Sequence, residues 1–212
     1  MLTDITEIKA SDGKLYVSAV FDCFDSSVTG LAMDTNMKAP LCARTLENAA
    51  KTYPGIHGAI IHSDRGSQYT SQLYRDVIRK YGIRQSMNSA GGRCHDNARC
   101  ESMWARMKSE LIYDRYDTEK MTTDELKTLI WRYFISYWNN RRICSSNGGL
   151  PPMIKRQRYH DSLKEVAQDT KSLRKMCQLI LTKSDWSFQP FLILKGFCCA
   201  TEIDGIPNIF LL

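Results

Sequence analysis

The sequence has few of the features that mark a fibrous, disordered or membrane protein. Only 12 Gly and 6 Pro occur among 212 residues, which excludes collagen-like and low-complexity chains. The longest apolar stretch, residues 191–200, is interrupted by Lys195 and falls short of the ~20 residues that span a bilayer. The first seven residues carry acids and lack the basic-then-apolar order of a signal peptide. We therefore expect no membrane segment and no secretion.

Paired cysteine spacing is also missing. None of the eight cysteines forms a motif typical of a zinc site or of a small disulfide scaffold. We interpret them as reduced, mostly buried thiols of a cytosolic protein. They are Cys23, Cys42, Cys94, Cys100, Cys144, Cys177, Cys198 and Cys199.

Basic residues, in contrast, are concentrated in one segment. Residues 1–130 hold 17 Lys/Arg and 17 Asp/Glu, residues 131–175 hold 10 and 3, and residues 176–212 hold 2 and 3. A solvated helical face could carry such a run. Because the run lies beside aromatic residues, a surface that faces a polyanion is the better interpretation.

The apolar pattern of the first half predicts an α/β domain. Three antiparallel strands followed by helix, strand, helix and strand is the order of a mixed sheet. The predicted elements are a hairpin over residues 3–23 that turns at Asp12-Gly13, a strand over 28–33, a helix from Pro40, a strand over 58–61 and a helix over 71–81.

The second half is predicted to be largely helical. Thr122 and Glu125 form a capping-box sequence that opens a long helix. Its apolar side, and that of a preceding helix, are expected to face the core: Cys100, Met103, Trp104, Met107 and Leu111, then Leu126, Leu129, Ile130, Tyr133, Phe134 and Tyr137. The basic stretch through Lys175 is expected to form one or two short helices, and the periodicity is lost from Met176 onward.

Three acids stand out by position. Asp4 lies in the first strand, Asp64 at the end of the buried strand, and Glu101 early on a helix. Strand ends in α/β sheets are where ligand sites form. Three carboxylates that meet there repel one another unless a divalent cation neutralises them, and oxygen ligands suit Mg²⁺ or Mn²⁺. The sequence contains 23 acidic residues, and many groups of three can be chosen from them. Spacing alone is therefore weak support for such a site.

The residues around these acids resemble the catalytic core of bacterial transposases of the insertion-sequence-three family, the downstream reading-frame product, which shares the retroviral integrase core. The matching blocks run from about residue 3 to about residue 160. They are Thr3–Thr6, Leu15–Val20, His62–Ser71, Tyr81–Met87, Asp96–Ala98 with Glu101-Ser102, and Tyr137–Arg142. The resemblance implies an RNase H-like fold, with a mixed five-stranded sheet flanked by helices and a C-terminal helical extension, and a DDE active site of Asp4, Asp64 and Glu101.

The implied activity is metal-dependent DNA strand cleavage and strand transfer by a polynucleotidyl transferase, with two Mg²⁺ or Mn²⁺ ions held by the three acids. The implied partners are transposon ends and target DNA, further copies of the chain assembled on DNA, and an upstream reading-frame product. The implied location is the bacterial cytoplasm. Two alternatives stay open: an inactive transposase remnant that only binds DNA, and a nuclease of the RNase H class, which normally uses a fourth carboxylate.

The resemblance, the charge distribution and the loss of periodicity together divide the chain. We expect a catalytic core over residues 1–143 that lacks the family's N-terminal DNA-binding region, a basic extension over 144–175, and a poorly anchored tail over 176–212. There are 36 residues between Asp64 and Glu101, where the family usually has 35. We place the extra residue in the glycine loop of residues 89–92, where an insertion costs little.

Basic side chains are the candidates for DNA contacts. Lys108 follows Glu101 by seven positions, which puts the two within ~20° on a helix, and in integrase-like cores a basic residue at this spacing contacts substrate DNA. The other candidates have no evident packing role and are Arg141, Arg142, Lys155, Arg156 and Arg158.

Further polar residues near the acids allow two interpretations. His62 could bind a metal, but a histidine hydrogen-bonded in the core is the commoner case. Phosphate or metal-bound water contacts and purely structural turns or caps are both open for Arg65, Gly66, Ser67, Gln68 and Asn97.

Overall fold

The computed structural model describes residues 1–88, 98–113 and 115–183, with side chains up to residue 175 except at Pro54. The glycine loop of residues 89–92, Asn97 and the tail beyond residue 183 lie outside the described residues. The chain divides into two compact units, Met1–Leu163 and Lys164–Leu212.

The centre of the first unit is a five-stranded mixed sheet. β1 pairs antiparallel with β2 and parallel with β4, β2 pairs antiparallel with β3, and β4 pairs parallel with β5. The order is β3-β2-β1-β4-β5, so the predicted mixed sheet is confirmed. The strands are β1 (Leu2–Ala10), β2 (Gly13–Phe21), β3 (Val28–Asp34), β4 (Ile60–Ser63) and β5 (Arg84–Met87).

Helices cover both faces of the sheet. Short 3₁₀ turns lie at Pro54–Ile56, Thr118–Lys120 and Ser145–Asn147, and π-helical turns lie at Lys108–Ile112 and Arg132–Trp138. The α-helices are α1 (Ala39–Thr52), α2 (Ser67–Thr70), α3 (Gln72–Lys80), α4 (Ala98–Met107), α5 (Thr123–Trp131) and α6 (Pro152–Lys183).

The side chains of β2 alternate between two hydrophobic cores, as the period of a strand requires. Val17, Ala19 and Phe21 pack in one core with α4, α5 and the Arg132–Trp138 turn. Val20 packs in the other with α1 and α3. The sheet is therefore buried on both faces along β2.

Helix α5 begins as predicted, with a complete capping box: the Thr122 hydroxyl accepts from the Glu125 backbone N–H and the Glu125 carboxylate accepts from the Thr122 backbone N–H. The prediction that Tyr137 faces the core is wrong, because that side chain is 44% exposed while Trp138 is buried. The chain is π-helical there, and i to i+5 bonding carries more residues per turn than an α-helix. The buried position therefore moves one residue onward.

The C-terminal helical extension is present, but its predicted length is wrong. In place of one or two short helices, α6 is continuous over 32 residues and extends past the point where we expected periodicity to end. No Gly or Pro occurs between Met153 and Lys183, so nothing in the sequence breaks it. Within the described residues, no helix has the length and apolar character needed to cross a membrane.

Candidate active site

Asp4 lies in β1, and Asp64 is the residue directly after β4, the strand that pairs parallel with β1. Leu2 of β1 is in register with His62 of β4, and the His62 N–H donates to the Met1 carbonyl over 3.0 Å. Each acid lies two residues beyond the Leu2–His62 pair. Because strand side chains repeat with a period of two, Asp4 lies on the face of the sheet that carries Leu2 and His62, and Asp64 begins the turn that follows β4.

Helix α4 packs over this same face. Trp104 Nε1 donates a hydrogen bond to Asp4 Oδ2 over 3.1 Å, which ties the helix to the strand that bears the first acid. Glu101 lies three residues before Trp104, so it belongs to the preceding turn of the same helix face. Its side chain is exposed. The structure therefore places the third acid one helical turn from the contact on Asp4.

These acids contribute to the raised pKa values of two buried thiols, Cys42 and Cys100. Burial is the largest cause that raises the pKa of Cys42 to about 12, and the negative charges of Asp64 and Asp4 raise it further. Burial likewise raises the pKa of Cys100, with additions from Asp4 and Glu101. The charge of Asp4 thus raises the pKa of both thiols. It does so together with Asp64 at Cys42 and together with Glu101 at Cys100.

The three carboxylates do not form a closed cluster. Across residues 1–88, 98–113 and 115–183, no group of three His, Cys, Asp or Glu side chains lies close enough together to hold a metal ion. The chemistry of the donor set nevertheless fits a hard divalent cation, because an aspartate of β1, an aspartate directly after β4 and a glutamate of α4 offer only oxygen atoms.

Several polar residues next to Asp64 have structural roles in the turn that follows it. Asp64 Oδ1 accepts from the Gly66 N–H over 2.9 Å, and Arg65 Nε donates to the Asn88 carbonyl over 2.6 Å. Ser67 and Gln68 open helix α2, and their carbonyls accept from the hydroxyls of Thr70 and Ser71. These contacts shape the turn that follows the second acid.

His62 has a partner at each ring nitrogen. Nδ1 lies 2.9 Å from Ser86 Oγ, and Nε2 lies 2.7 Å from Asn88 Oδ1. Both partners belong to β5 or to the residue that follows it. Of the two interpretations, the structure favours the hydrogen-bonded histidine over the metal ligand.

The prediction that Arg156 lacks a packing role is wrong. Its Nε donates to Asp25 Oδ2 and its Nη2 to Asp22 Oδ2, both over 2.6 Å. The guanidinium lies 4.3 Å from the centroid of the Tyr53 ring. Burial acts to lower the pKa of Arg156, but its hydrogen bond to Asp25 and the negative charges of Asp25 and Asp22 raise it overall. This side chain fills an internal position and holds the turn between β2 and β3.

Lys155 and Arg142 also donate hydrogen bonds to groups within the protein. Lys155 Nζ donates to the Phe24 carbonyl over 2.6 Å and to Asn147 Oδ1 over 3.1 Å. Arg142 Nε donates to both carboxylate oxygens of Glu110 over 3.0 and 2.9 Å. These two predicted DNA contacts therefore also have a packing role that the sequence did not reveal.

The other three predicted DNA contacts remain available to a ligand. Arg141 and Arg158 are exposed and Lys108 is half-buried at the start of a π-helical turn. Within the described part of the chain, none of the three side chains makes a hydrogen bond or an ion pair. The α-helical angle between Glu101 and Lys108 stays a prediction, because α4 ends at Met107.

Two family models, each described as an integrase core domain, match the chain, one over residues 1–94 and the other over residues 81–152. An uncharacterized transposase-like protein of Haemophilus influenzae is 35% identical over 152 residues, which cover 71% of this chain and 67% of the relative. The chain belongs to the integrase core family of transposases. The resemblance read from the sequence is confirmed.

Two further relatives come from insertion sequences. The "Probable transposase for insertion sequence element IS1353" of Shigella flexneri is 41% identical over 154 residues, covering 72% of this chain and 29% of the relative. The transposase for IS904 of Lactococcus lactis is 36% identical over 146 residues, covering 68% and 55%. The chain thus spans about half or less of the length of these two relatives.

The fold has a counterpart among solved structures. In a simian T-cell lymphotropic virus intasome in complex with a PP2A regulatory subunit, a chain superposes with a TM-score of 0.54 at 18% identity, covering 68% of this chain and 49% of that one. At this identity the likeness concerns the fold. The predicted RNase H-like, integrase-type core is confirmed.

Proposed function

We propose that this chain performs metal-dependent DNA strand cleavage and strand transfer, with Asp4, Asp64 and Glu101 as the catalytic acids. The observation that carries the proposal is the parallel pairing of β1 with β4, because β1 contains Asp4 and β4 ends directly before Asp64. Family membership supports the reaction class, and the hydrogen bond between Trp104 and Asp4 supports the inclusion of Glu101.

In the proposed reaction, water attacks a phosphodiester and frees a 3′-hydroxyl at a transposon end. The freed hydroxyl then attacks a second phosphodiester. Each step makes one P–O bond and breaks another, so no covalent link to the protein is needed. The side chains of this site hold the reacting groups in line, and such positioning supplies much of the rate.

The acids are proposed to hold two divalent ions, Mg²⁺ or Mn²⁺. When bound, such a pair stabilises both the attacking and the leaving oxygen of an in-line displacement. The chain itself would supply the oxygen ligands from β1, from the turn after β4 and from α4. The Gly66 N–H, which donates to Asp64 Oδ1, would hold that ligand in orientation.

The DNA is proposed to contact Lys108, Arg141 and Arg158. We withdraw Arg142, Lys155 and Arg156 from this set, because their nitrogen atoms are bound to Glu110, Phe24, Asn147, Asp22 and Asp25. Transposon ends, target DNA, further copies of the chain and an upstream reading-frame product remain proposed partners.

The proposal is tested with Asp64→Asn and Glu101→Gln, with Asp76→Asn as the matched control. Asp76 is an exposed acid of α3 that contacts Gln72 and Arg79, so its loss removes the same charge away from the site. The measurements are Mn²⁺ affinity by calorimetry and Mn²⁺-dependent nicking of supercoiled DNA.

We expect both site variants to lose nicking and to bind Mn²⁺ more weakly, while the control matches the unmodified chain. Without metal, the site variants should be as stable as the unmodified chain or more so, because one repelling charge is gone. Retained nicking in both site variants, or no Mn²⁺ binding by the unmodified chain, would refute the proposal. Cleavage restricted to the RNA strand of a hybrid would instead identify a nuclease of the RNase H class.

A further inference from the structure

Trp104 makes a polar contact that its place in the core does not require. It is only 5% exposed and belongs to the core beneath α4, where apolar packing alone would account for a large aromatic ring. Yet its indole N–H points to Asp4 Oδ2 over 3.1 Å. The indole has a single donor and no acceptor, so the contact requires an oxygen lone pair of the carboxylate.

Two neighbouring rings fix the orientation of this indole. Phe21 meets it edge-on with a centroid distance of 5.4 Å and an interplanar angle of 75°. Phe134 does the same at 5.7 Å and 84°. Phe21 lies at the end of β2, opposite Leu2, while Phe134 lies in the π-helical turn. The direction of the N–H is therefore set by packing from two separate elements.

We propose that Trp104 is a positioning residue for the catalytic site. Its N–H holds the Asp4 carboxylate in one rotamer, and its ring keeps the Glu101 turn of α4 at a fixed height above β1. The inference rests on the function proposed above, because it assumes that Asp4 and Glu101 bind metal. Hydrogen bonds to ligating carboxylates typically contribute 10–100-fold in metal affinity or activity.

The alternative is that Trp104 serves the core alone, and a matched pair of substitutions separates the two. Trp104→Phe keeps an aromatic ring and removes the N–H from Asp4. Trp138→Phe removes an equivalent N–H in the same core, because Trp138 Nε1 donates to the Ser26 carbonyl over 2.9 Å. Each variant loses one hydrogen bond from an indole N–H, but only the bond of Trp104 is made to a proposed metal ligand.

Mn²⁺ affinity and melting temperature are measured for both variants, with Asp64→Asn alongside. We expect Trp104→Phe to weaken Mn²⁺ binding by roughly tenfold or more and Trp138→Phe to leave it unchanged, although both lower the melting temperature. Equal Mn²⁺ affinity in Trp104→Phe and Trp138→Phe would overturn the positioning role. If Asp64→Asn binds Mn²⁺ as well as the unmodified chain, the proposed function itself fails, so the two failures are distinguishable.

A spectroscopic measurement on the unmodified side chain covers the case in which Trp104→Phe does not fold. The chain has four tryptophans, so ¹⁵N-indole labelling gives four N–H signals, assigned by replacing the other three with Phe. We expect Mg²⁺ to shift the Trp104 signal and to leave that of Trp131, which is 52% exposed, in place. An unmoved Trp104 signal at saturating Mg²⁺ would contradict the inference.

Discussion

Arg156 and Asp25 form a buried ion pair that joins helix α6 to the turn between β2 and β3. Arg156 Nε lies 2.6 Å from Asp25 Oδ2, and Asp25 has no exposed surface. The Arg156 side chain is 11% exposed and also binds Asp22 and Ser27. A residue that sequence reasoning assigned to DNA is thus part of the internal structure.

Arg156→Ala is therefore expected to destabilise the fold rather than to weaken DNA binding selectively. Removing one partner of a buried pair leaves an uncompensated charge and costs about 3–5 kcal/mol. Urea unfolding measures the loss. The exposed Arg158 serves as the control, and Arg158→Ala should change the free energy of unfolding by less than ~0.5 kcal/mol. Similar, small effects of both substitutions would show that the pair contributes little.

The distance along the chain explains why this contact could not be predicted. Arg156 is 131 residues from Asp25, and Trp104 is 100 residues from Asp4. Local patterns predicted the hairpin, the order of strands and helices and the capping box, because these depend on neighbours within a few residues. They also placed Trp104 in the core, but only the packed structure shows what the indole N–H meets.

The candidate site was predicted in its residues but not in its geometry. A strand end and a helix start indicated Asp64 and Glu101, and the resemblance supplied the rest of the interpretation. The neighbourhood of β1, which contains Asp4, and β4, which ends before Asp64, comes from the pairing of Leu2 with His62, which no local pattern encodes. The prediction that Tyr137 faces the core was wrong for a related reason, since the α-helical period does not apply in a π-helical turn.

The pair of Glu110 and Arg142 should make stability depend on pH. Hydrogen bonding to Arg142 holds the pKa of the Glu110 carboxyl below its ordinary value, against desolvation and with help from the Tyr133 hydroxyl. A carboxyl with a lowered folded-state pKa contributes stability above its unfolded pKa of about 4.3. That contribution is lost as pH falls through the folded-state value.

Glu110→Gln should thus cost about 1–3 kcal/mol of unfolding free energy at pH 7, and the difference from the unmodified chain should shrink as pH falls below ~4. Urea unfolding at a series of pH values measures it. Glu119→Gln removes an exposed carboxylate 3.9 Å from Lys9 and should matter little at any pH. A cost for Glu110→Gln that is the same at pH 3 and pH 7 would contradict this account.

Cys42 is expected to resist alkylation in the folded chain. Burial, with the nearby acids, raises its pKa to about 12, so almost no thiolate is present at pH 8 and the thiolate is the reactive form. Cys23 is exposed and should react readily with iodoacetamide. Peptide mass mapping after native and urea-unfolded labelling distinguishes the two. Equal native labelling of Cys42 and Cys23 would show that the Cys42 environment opens to solvent.

The DNA contacts proposed for Lys108, Arg141 and Arg158 should appear in the salt dependence of binding. Each phosphate that a cation neutralises releases counterions, so the logarithm of affinity falls with the logarithm of salt with a slope of about −0.9 per contact. Replacing all three residues by Ala should lower the magnitude of the slope by about 2–3. Fluorescence anisotropy with a labelled duplex at several salt concentrations measures it.

The control is a triple Ala variant of Lys9, Lys14 and Lys120, which changes the net charge by the same amount. These lysines pair with Glu119, Glu7 and Asp117 on the surface, and Lys9 and Lys14 face each other beside the β-hairpin turn. Lys9 lies five residues along β1 from Asp4, about 17 Å in a strand, so this surface is remote from the candidate site. An equal change of slope in both triple variants would mean that net charge, and not a DNA surface at the three proposed residues, governs binding.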